Sequence, residues 1–245
     1  MSITFTDCAY RYKRRSRPVL TGFSYELRDG LTVLLGPNGA GKSTLLRLGA
    51  SVARPETGRI TCGTVPSTAR EYRRQVSWMP QQITAMAGLT AREQVAYSGW
   101  LKGMGRSDAW TRALDALTRV GLRDRADDKA RILSGGQLRR LGLASALVHD
   151  CRVLLLDEPT AGMDPTQRRV FRDLLTDAVG GGGLSVLMST HDVADLADDA
   201  DRITVLAGGR IQFDGTTDGF LGNAPADTPA SRHAEAAYTA LTLRD

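Results

Sequence analysis

The 245 residues predict an α/β fold, in which a mainly parallel sheet covered by helices is interrupted by an all-helical block. Three observations carry that expectation. Continuous apolar runs, "LTVLLG" (31–36), "CRVLLLDE" (151–158) and "LSVLMSTH" (184–191), read as strands covered on both faces, as parallel strands are. Helical patterns follow the first two runs, at 42–50 and 165–179. From Leu89 to about residue 150 the texture is helical throughout.

The elements follow in order. "ITFTDCAY" (3–10) and "GFSYEL" (22–27) alternate apolar and polar residues as half-buried antiparallel strands do, and the basic stretch "RYKRRSR" (11–17) joins them. "RPETGRITCG" (54–63) reads as a turn and a strand, and "RRQVSWMPQQ" (73–82) as a strand ending at Pro80. Residues 90–104 can hold one helix. Residues 107–122 hold a second, with Ser107 or Asp108 as cap and Ala113, Leu114, Leu117 and Val120 on one face. A third, 135–149, begins after Ser134. Asp164 and Pro165 open the helix at 165–179, and Gly180 to Gly183 form a flexible connection to the next strand. "DRITVLAGGRIQFDG" (201–215) is a hairpin turning at Gly208 and Gly209, and 231–243 is a last helix.

Composition narrows the class. The longest apolar run is the "VLLL" before Asp157, far too short to span a bilayer, and the N-terminus has no basic segment followed by an apolar one, so a cytoplasmic chain is expected. Cys8, Cys62 and Cys151 are far apart and have no His or Cys companions at metal-ligand spacing, which reads as reduced thiols without a metal. Much of the net charge of +5 sits in residues 11–17, a solvated loop with phosphate or anionic lipid contact as the lesser alternative.

The chemistry is concentrated at strand ends. Gly36–Ser43 matches G-x-x-x-x-G-K-[ST] after a buried strand and at the start of a helix. Backbone N–H groups of such a loop curl around a β-phosphate, Lys42 reaches the β and γ phosphates, and Ser43 supplies a hydroxyl to Mg²⁺. Asp157 ends a buried strand where ligands bind in open α/β sheets and is the natural holder of Mg²⁺; Glu158 points elsewhere, able to polarise an attacking water. Gln81 and His191 end neighbouring strand-like segments and are candidates to reach the γ-phosphate or the water. Tyr12 is a candidate to stack on adenine, with Tyr10 competing.

In order along the chain, "YRY", "GPNGAGKST", "MPQ", "LSGGQLRR", "LLLDEPTAGMDP" and "STH" together resemble the nucleotide-binding subunits of ATP-binding cassette (ABC) transporters. The resemblance implies a P-loop NTPase (RecA-like) core with an antiparallel β subdomain and an inserted helical subdomain in one domain, 1–245. The β subdomain takes 1–30 and 58–80, the helical subdomain 89–150, the core 31–57 and 151–222, and a C-terminal helical extension 223–245. ATP and Mg²⁺ are the implied ligands. Gly36, Pro37, Asn38, Gly39, Ala40, Gly41, Lys42, Ser43 and Thr44 form the Walker A loop, with Tyr12 beside the base. Ser43, Gln81 and Asp157 are placed at the metal, and Glu158, His191, Gln81 and Lys42 in catalysis. Ser134, Gly135, Gly136 and Gln137 of the signature and Asp164 of the D-loop act in trans on a partner's ATP. The "AGMD" D-loop departs from the family's usual leucine only by Met163.

The stretches 88–104 and 120–150 look like the ATPase subunits of exporters of the drug, antibiotic or polysaccharide type, whose permease is a separate polypeptide, while importers use nearly the same cassette. The implied partners are a second cassette, by self-pairing or with a different one, and an integral membrane permease. They place the chain on the cytoplasmic face of the membrane. A soluble ABC ATPase acting on nucleic acid or ribosomes is the lesser alternative; such proteins usually carry two cassettes in one chain or a long coiled-coil insertion, and neither appears here, so no nucleic acid partner is expected.

Overall fold

The computed structural model describes residues 2–13, 15–193 and 200–243. Arg14 of the basic stretch, and residues 244 and 245 of the C-terminal extension, lie outside them.

The strands are β1 (Ile3–Tyr10), β2 (Leu20–Glu26), β3 (Gly30–Leu35), β4 (Thr57–Cys62), β5 (Val65–Pro66), β6 (Val76–Met79), β7 (Val153–Asp157), β8 (Ser185–Thr190), β9 (Arg202–Ala207) and β10 (Arg210–Thr216). The helices are α1 (Lys42–Gly49), α2 (Arg70–Gln75), α3 (Ala91–Leu101), α4 (Arg106–Arg119), α5 (Gly135–Leu147), α6 (Pro165–Gly180), α7 (Thr217–Leu221) and α8 (His233–Thr242). They form two sheets. One is antiparallel, in the order β2-β1-β4-β5; the other runs β10-β9-β3-β8-β7-β6 and is parallel except for β10, which turns back from β9 through Gly208 and Gly209.

Helix α1 is packed between the sheets: its Leu45, Leu46 and Leu48 share one core with Ile3, Phe5 and Phe23 of the antiparallel sheet and Leu34, Leu155 and Leu187 of the parallel one. The opposite face of the parallel sheet, with Val33, Leu156 and Met188, packs against Phe171 and Leu175 of α6 and extends into the helical block through Leu141, Val95 and Leu117. Each Leu-sized side chain buried in this way contributes about 1.5–3 kcal/mol. Two apolar faces on one sheet explain why its strands read as unbroken apolar runs.

Several elements differ from expectation. Residues 76–79, grouped with the antiparallel segment 58–80, pair in parallel with β7, so they belong to the large sheet. Residues 73–75, read as the start of that strand, close the short helix α2, whose Tyr72 is buried and donates to the Gly49 carbonyl at 2.6 Å. Helix α4 begins earlier than predicted: Gly105 is its cap, so neither Ser107 nor Asp108 is, and Asp108 lies in the first turn, where a carboxylate suits the helix dipole. Ala113, Leu117 and Val120 are buried and Leu114 only partly. The strand β5 and helix α7 had no expectation attached. Asp164 caps α6 with Pro165 behind it, and α3 opens with a reciprocal cap between Thr90 and Glu93.

His149, after α5, is 7% exposed, and among the described residues neither ring nitrogen has a hydrogen-bond partner. Burial, with the Lys102 charge adding to it and Asp150 opposing, pulls its pKa from 6.5 to about 4. Between those values the unfolded chain takes up a proton that the folded imidazole refuses, so stability falls as pH drops from 6.5 to about 4. The full loss is about 3 kcal/mol. His149→Leu should flatten this part of the acid limb in urea unfolding; an unchanged limb contradicts the assignment.

Candidate active site

The registers Leu35 with Thr190, Asp157 with Ser189 and Met79 with Leu156 bring the carboxyl ends of β3, β8, β7 and β6 to one edge. The residues that follow them, Gly36, His191, Glu158 and Gln81, therefore meet there. A side chain on Gly36 would collide with the Leu206 carbonyl of β9, and Gly41 holds φ 105 at the cap of α1. Glycine is what lets the chain turn tightly from β3 into the N-terminus of α1.

The loop encloses one side of a cavity of about 650 Å³ lined by residues 37–44 together with Tyr12, Val19, Gln81, Glu158, Ala161 and His191. The buried Lys42 ammonium donates to the carbonyls of Gly36 and Pro37. Burial lowers its pKa, and the Glu158 and Asp157 charges oppose that. Thr44 Oγ1 and the Tyr12 hydroxyl share a 2.8 Å hydrogen bond. Tyr12 is half exposed at the mouth, and Tyr10 packs edge-on against it with centroids 5.3 Å apart. Of the two tyrosines, Tyr12 lines the cavity.

At the floor, Ser43 Oγ donates to Asp157 Oδ1 at 2.9 Å, and Ser189 Oγ donates to the same oxygen at 3.0 Å. The Glu158 N–H donates to Ser189 Oγ at 3.0 Å. Glu158 has φ 44, a left-handed conformation that costs a non-glycine residue about 1–3 kcal/mol and clusters at functional sites. Its carboxylate is held on both sides: Gln81 Nε2 donates to Oε2 at 3.1 Å, and His191 Nδ1 lies 3.2 Å from Oε1. Gln81, expected also at the metal, is engaged with Glu158 here.

The Ser43 hydroxyl and the Asp157 carboxylate are hard oxygen donors side by side. Mg²⁺ takes few protein ligands and fills the rest of its octahedron with phosphate oxygens and water, so this pair fits it.

The signature lies outside this cavity. Ser134 and Gly135 are exposed, and Ser134 caps α5 in a reciprocal pair: the Gln137 N–H donates to Ser134 Oγ at 3.3 Å, and the Ser134 N–H donates to Gln137 Oε1 at 2.9 Å. A side chain at Gly136 would collide with that of Gln167, whose backbone N–H donates to Asp164 Oδ1 at 2.9 Å. Signature and D-loop thus form one continuous surface at the N-termini of α5 and α6. Sequence reasoning missed Ser189, Ala161 and Arg139; only for Ser189 was there a signal, its place one residue before the end of a buried strand.

A Walker loop, a hydroxyl–carboxylate pair and a flanked glutamate at the carboxyl edge of a parallel sheet define a P-loop nucleoside triphosphatase. The ABC transporter family profile matches residues 20–161. The chain is 34% identical over 239 residues to the phosphonates import ATP-binding protein PhnC of Bordetella parapertussis, covering 89% of this chain and 93% of that protein. It is 31% identical over 215 residues to the linearmycin resistance ATP-binding protein LnrL of Bacillus subtilis, covering 86% and 69%. Among solved structures, the dimeric bacterial ABC transporter cassette MJ0796 superposes with a TM-score of 0.77 at 26% identity, covering 87% of this chain and 98% of that one. This chain belongs to the ABC transporter family. It is an ATP-binding subunit that hydrolyses ATP, with transport as the coupled work. Among the described residues, no helix is long and apolar enough to cross a membrane.

Proposed function

We propose that this subunit powers an exporter whose permease is a separate polypeptide, and that two cassettes close head to tail on ATP and reopen on hydrolysis. The observation that carries the pairing is that the signature, a capped helix N-terminus with an open glycine, is exposed and does not line its own chain's phosphate cavity. A helix N-terminus of this kind suits the γ-phosphate of an ATP held by a partner. The partner is a second copy or a different cassette.

In each site the loop amides and Lys42 hold the phosphates, and Tyr12 stacks on the adenine. Ser43 and Asp157 would hold Mg²⁺, which would supply positive charge against the phosphates. Glu158 accepts the proton of the attacking water, with Gln81 and His191 holding the carboxylate and the γ-phosphate in line. Asp164 of the partner borders the same site.

Docking on the permease is assigned to the surface between Gln82 and Leu101. There a groove of about 420 Å³ runs between the core and the helical block, with the exposed Val52 and Leu101 among its lining residues. With that docking the chain would sit on the cytoplasmic face of the membrane. Leu101→Glu should leave ATPase activity of the isolated chain intact and abolish copurification of the permease in mild detergent. Retained copurification would put the docking site elsewhere.

Export is supported by the likeness of residues 88–104 and 120–150 to exporter cassettes and by a relative named for linearmycin resistance. Import is the second reading, favoured by the relative named for phosphonates import. Identification of the copurified permease, followed by ATP-driven flux in proteoliposomes with the cassette outside, decides between them. Uptake into the vesicle lumen means export, and release from the lumen means import.

A further inference from the structure

Arg139 lies just beyond the signature, on the helix that the signature caps. Its guanidinium does not face the surface that Ser134 presents; it turns back into its own chain's site. Nη1 donates to the carbonyl of Gln81 and Nη2 to the carbonyl of Ala161 at 3.1 Å. Both partners matter to the base. Gln81 holds Glu158 Oε2 by its side chain, and Ala161 closes the turn that begins at Glu158, its N–H donating to the Glu158 carbonyl at 3.2 Å. Arg139 is partly buried, and desolvation lowers its pKa while the Glu158 charge opposes that.

We infer that Arg139 is a positioning residue for catalysis in its own chain's nucleotide site: its planar fork ties the γ-phosphate-sensing loop at Gln81 to the strained turn after Asp157 and so holds Glu158 in the geometry of a general base. The inference rests on the assignment of Glu158 as base and on head-to-tail pairing. A guanidinium suits the task because its fixed fork serves two carbonyls at once, which the single ammonium of lysine does less well. The position is placed to pass the state of one ATP site to the other, since the same helix carries Ser134 to the partner.

The consequence is a split between binding and chemistry. Arg139→Gln should leave KM for ATP and the thermal unfolding temperature near wild type and lower kcat by 10-fold or more; Arg139→Lys should lie between. Should Arg139→Gln fail to fold, the Lys variant carries the same test. A raised KM with unchanged kcat in either would overturn the inference.

Mixed dimers locate the effect. Mixing the Ser134→Ala and Lys42→Ala chains leaves one complete site in each mixed pair and puts no bulk in the interface, so activity above that of either parent is the control for head-to-tail pairing. Mixing Ser134→Ala with Arg139→Gln leaves one site whose loop, base and Arg139 are wild type, facing an intact Ser134 on the Arg139→Gln chain. Activity regained to the level of the control mixture is the expected result. A control that regains activity beside an Arg139→Gln mixture that does not would overturn the inference, since Arg139 would then be acting through the partner's site. A control that stays inactive would overturn head-to-tail pairing, and the inference with it.

Discussion

Replacing Glu158 by Gln is expected to leave ATP binding within a few-fold of wild type and to lower kcat by about 10²–10⁴-fold, the range a positioned general base contributes. The amide keeps the size of the carboxylate and can still meet Gln81 and His191. It cannot take a proton from water. Binding should survive because the phosphates are assigned to the loop amides and Lys42, which the substitution does not touch. Single-turnover hydrolysis with radiolabelled ATP, beside a fluorescent-nucleotide binding curve, checks both halves. Wild-type turnover would remove Glu158 from its role, and the strained φ of 44 would then need another explanation.

Ser134→Arg is expected to act just as strongly and in a different place. The substitution leaves its own chain's phosphate cavity unchanged, because Ser134 does not line it. Affinity of the isolated chain for ATP should therefore hold. Ser134 is exposed on the surface assigned to the partner, and a long cation there removes the cap of α5 and obstructs the approach of a second cassette. Losing the hydroxyl's hydrogen bond to a charged phosphate costs about 1.5–3 kcal/mol, so ATP-driven association should weaken by about 10-fold at the least, with hydrolysis falling in step. Association and hydrolysis that stay at wild-type levels would show that the signature has no part in a composite site.

Much of the site was legible because its chemistry is local. The Walker loop needs glycines, a lysine and a hydroxyl at fixed offsets between a strand and a helix, and "GPNGAGKST" shows all of them. Glu158, Asp157 and His191 end apolar runs, and such runs are visible without knowing their neighbours. The parallel sheet was legible for the same reason.

What was not legible depends on contacts between distant segments. The four residues of β6 carry too short a pattern to reveal that they pair with β7, more than seventy residues on. The six residues of α2 are held by burial of Tyr72 under Gly49 and show little periodicity of their own. Gly105 caps α4 without a side chain, so the polar Ser107 and Asp108 drew the assignment. Arg139 belongs to a stretch read for its serine and glycines; only the folded structure turns its guanidinium away from them, toward Gln81 and Ala161. Ser189 is one of three small polar residues in β8, and its role appears only when register sets it against Asp157.

On the proposed head-to-tail pairing, one chain holds two half-sites which become whole when two cassettes meet. Molar mass in solution with and without ATP and Mg²⁺ tests it most directly, using Glu158→Gln to slow hydrolysis and the double variant Glu158→Gln, Ser134→Arg as its counterpart. Glu158→Gln is expected to shift to twice the monomer mass when ATP is added, and the double variant to stay monomeric with ATP bound. A Glu158→Gln chain that remains monomeric at saturating ATP, or a double variant that dimerises as readily, would contradict it.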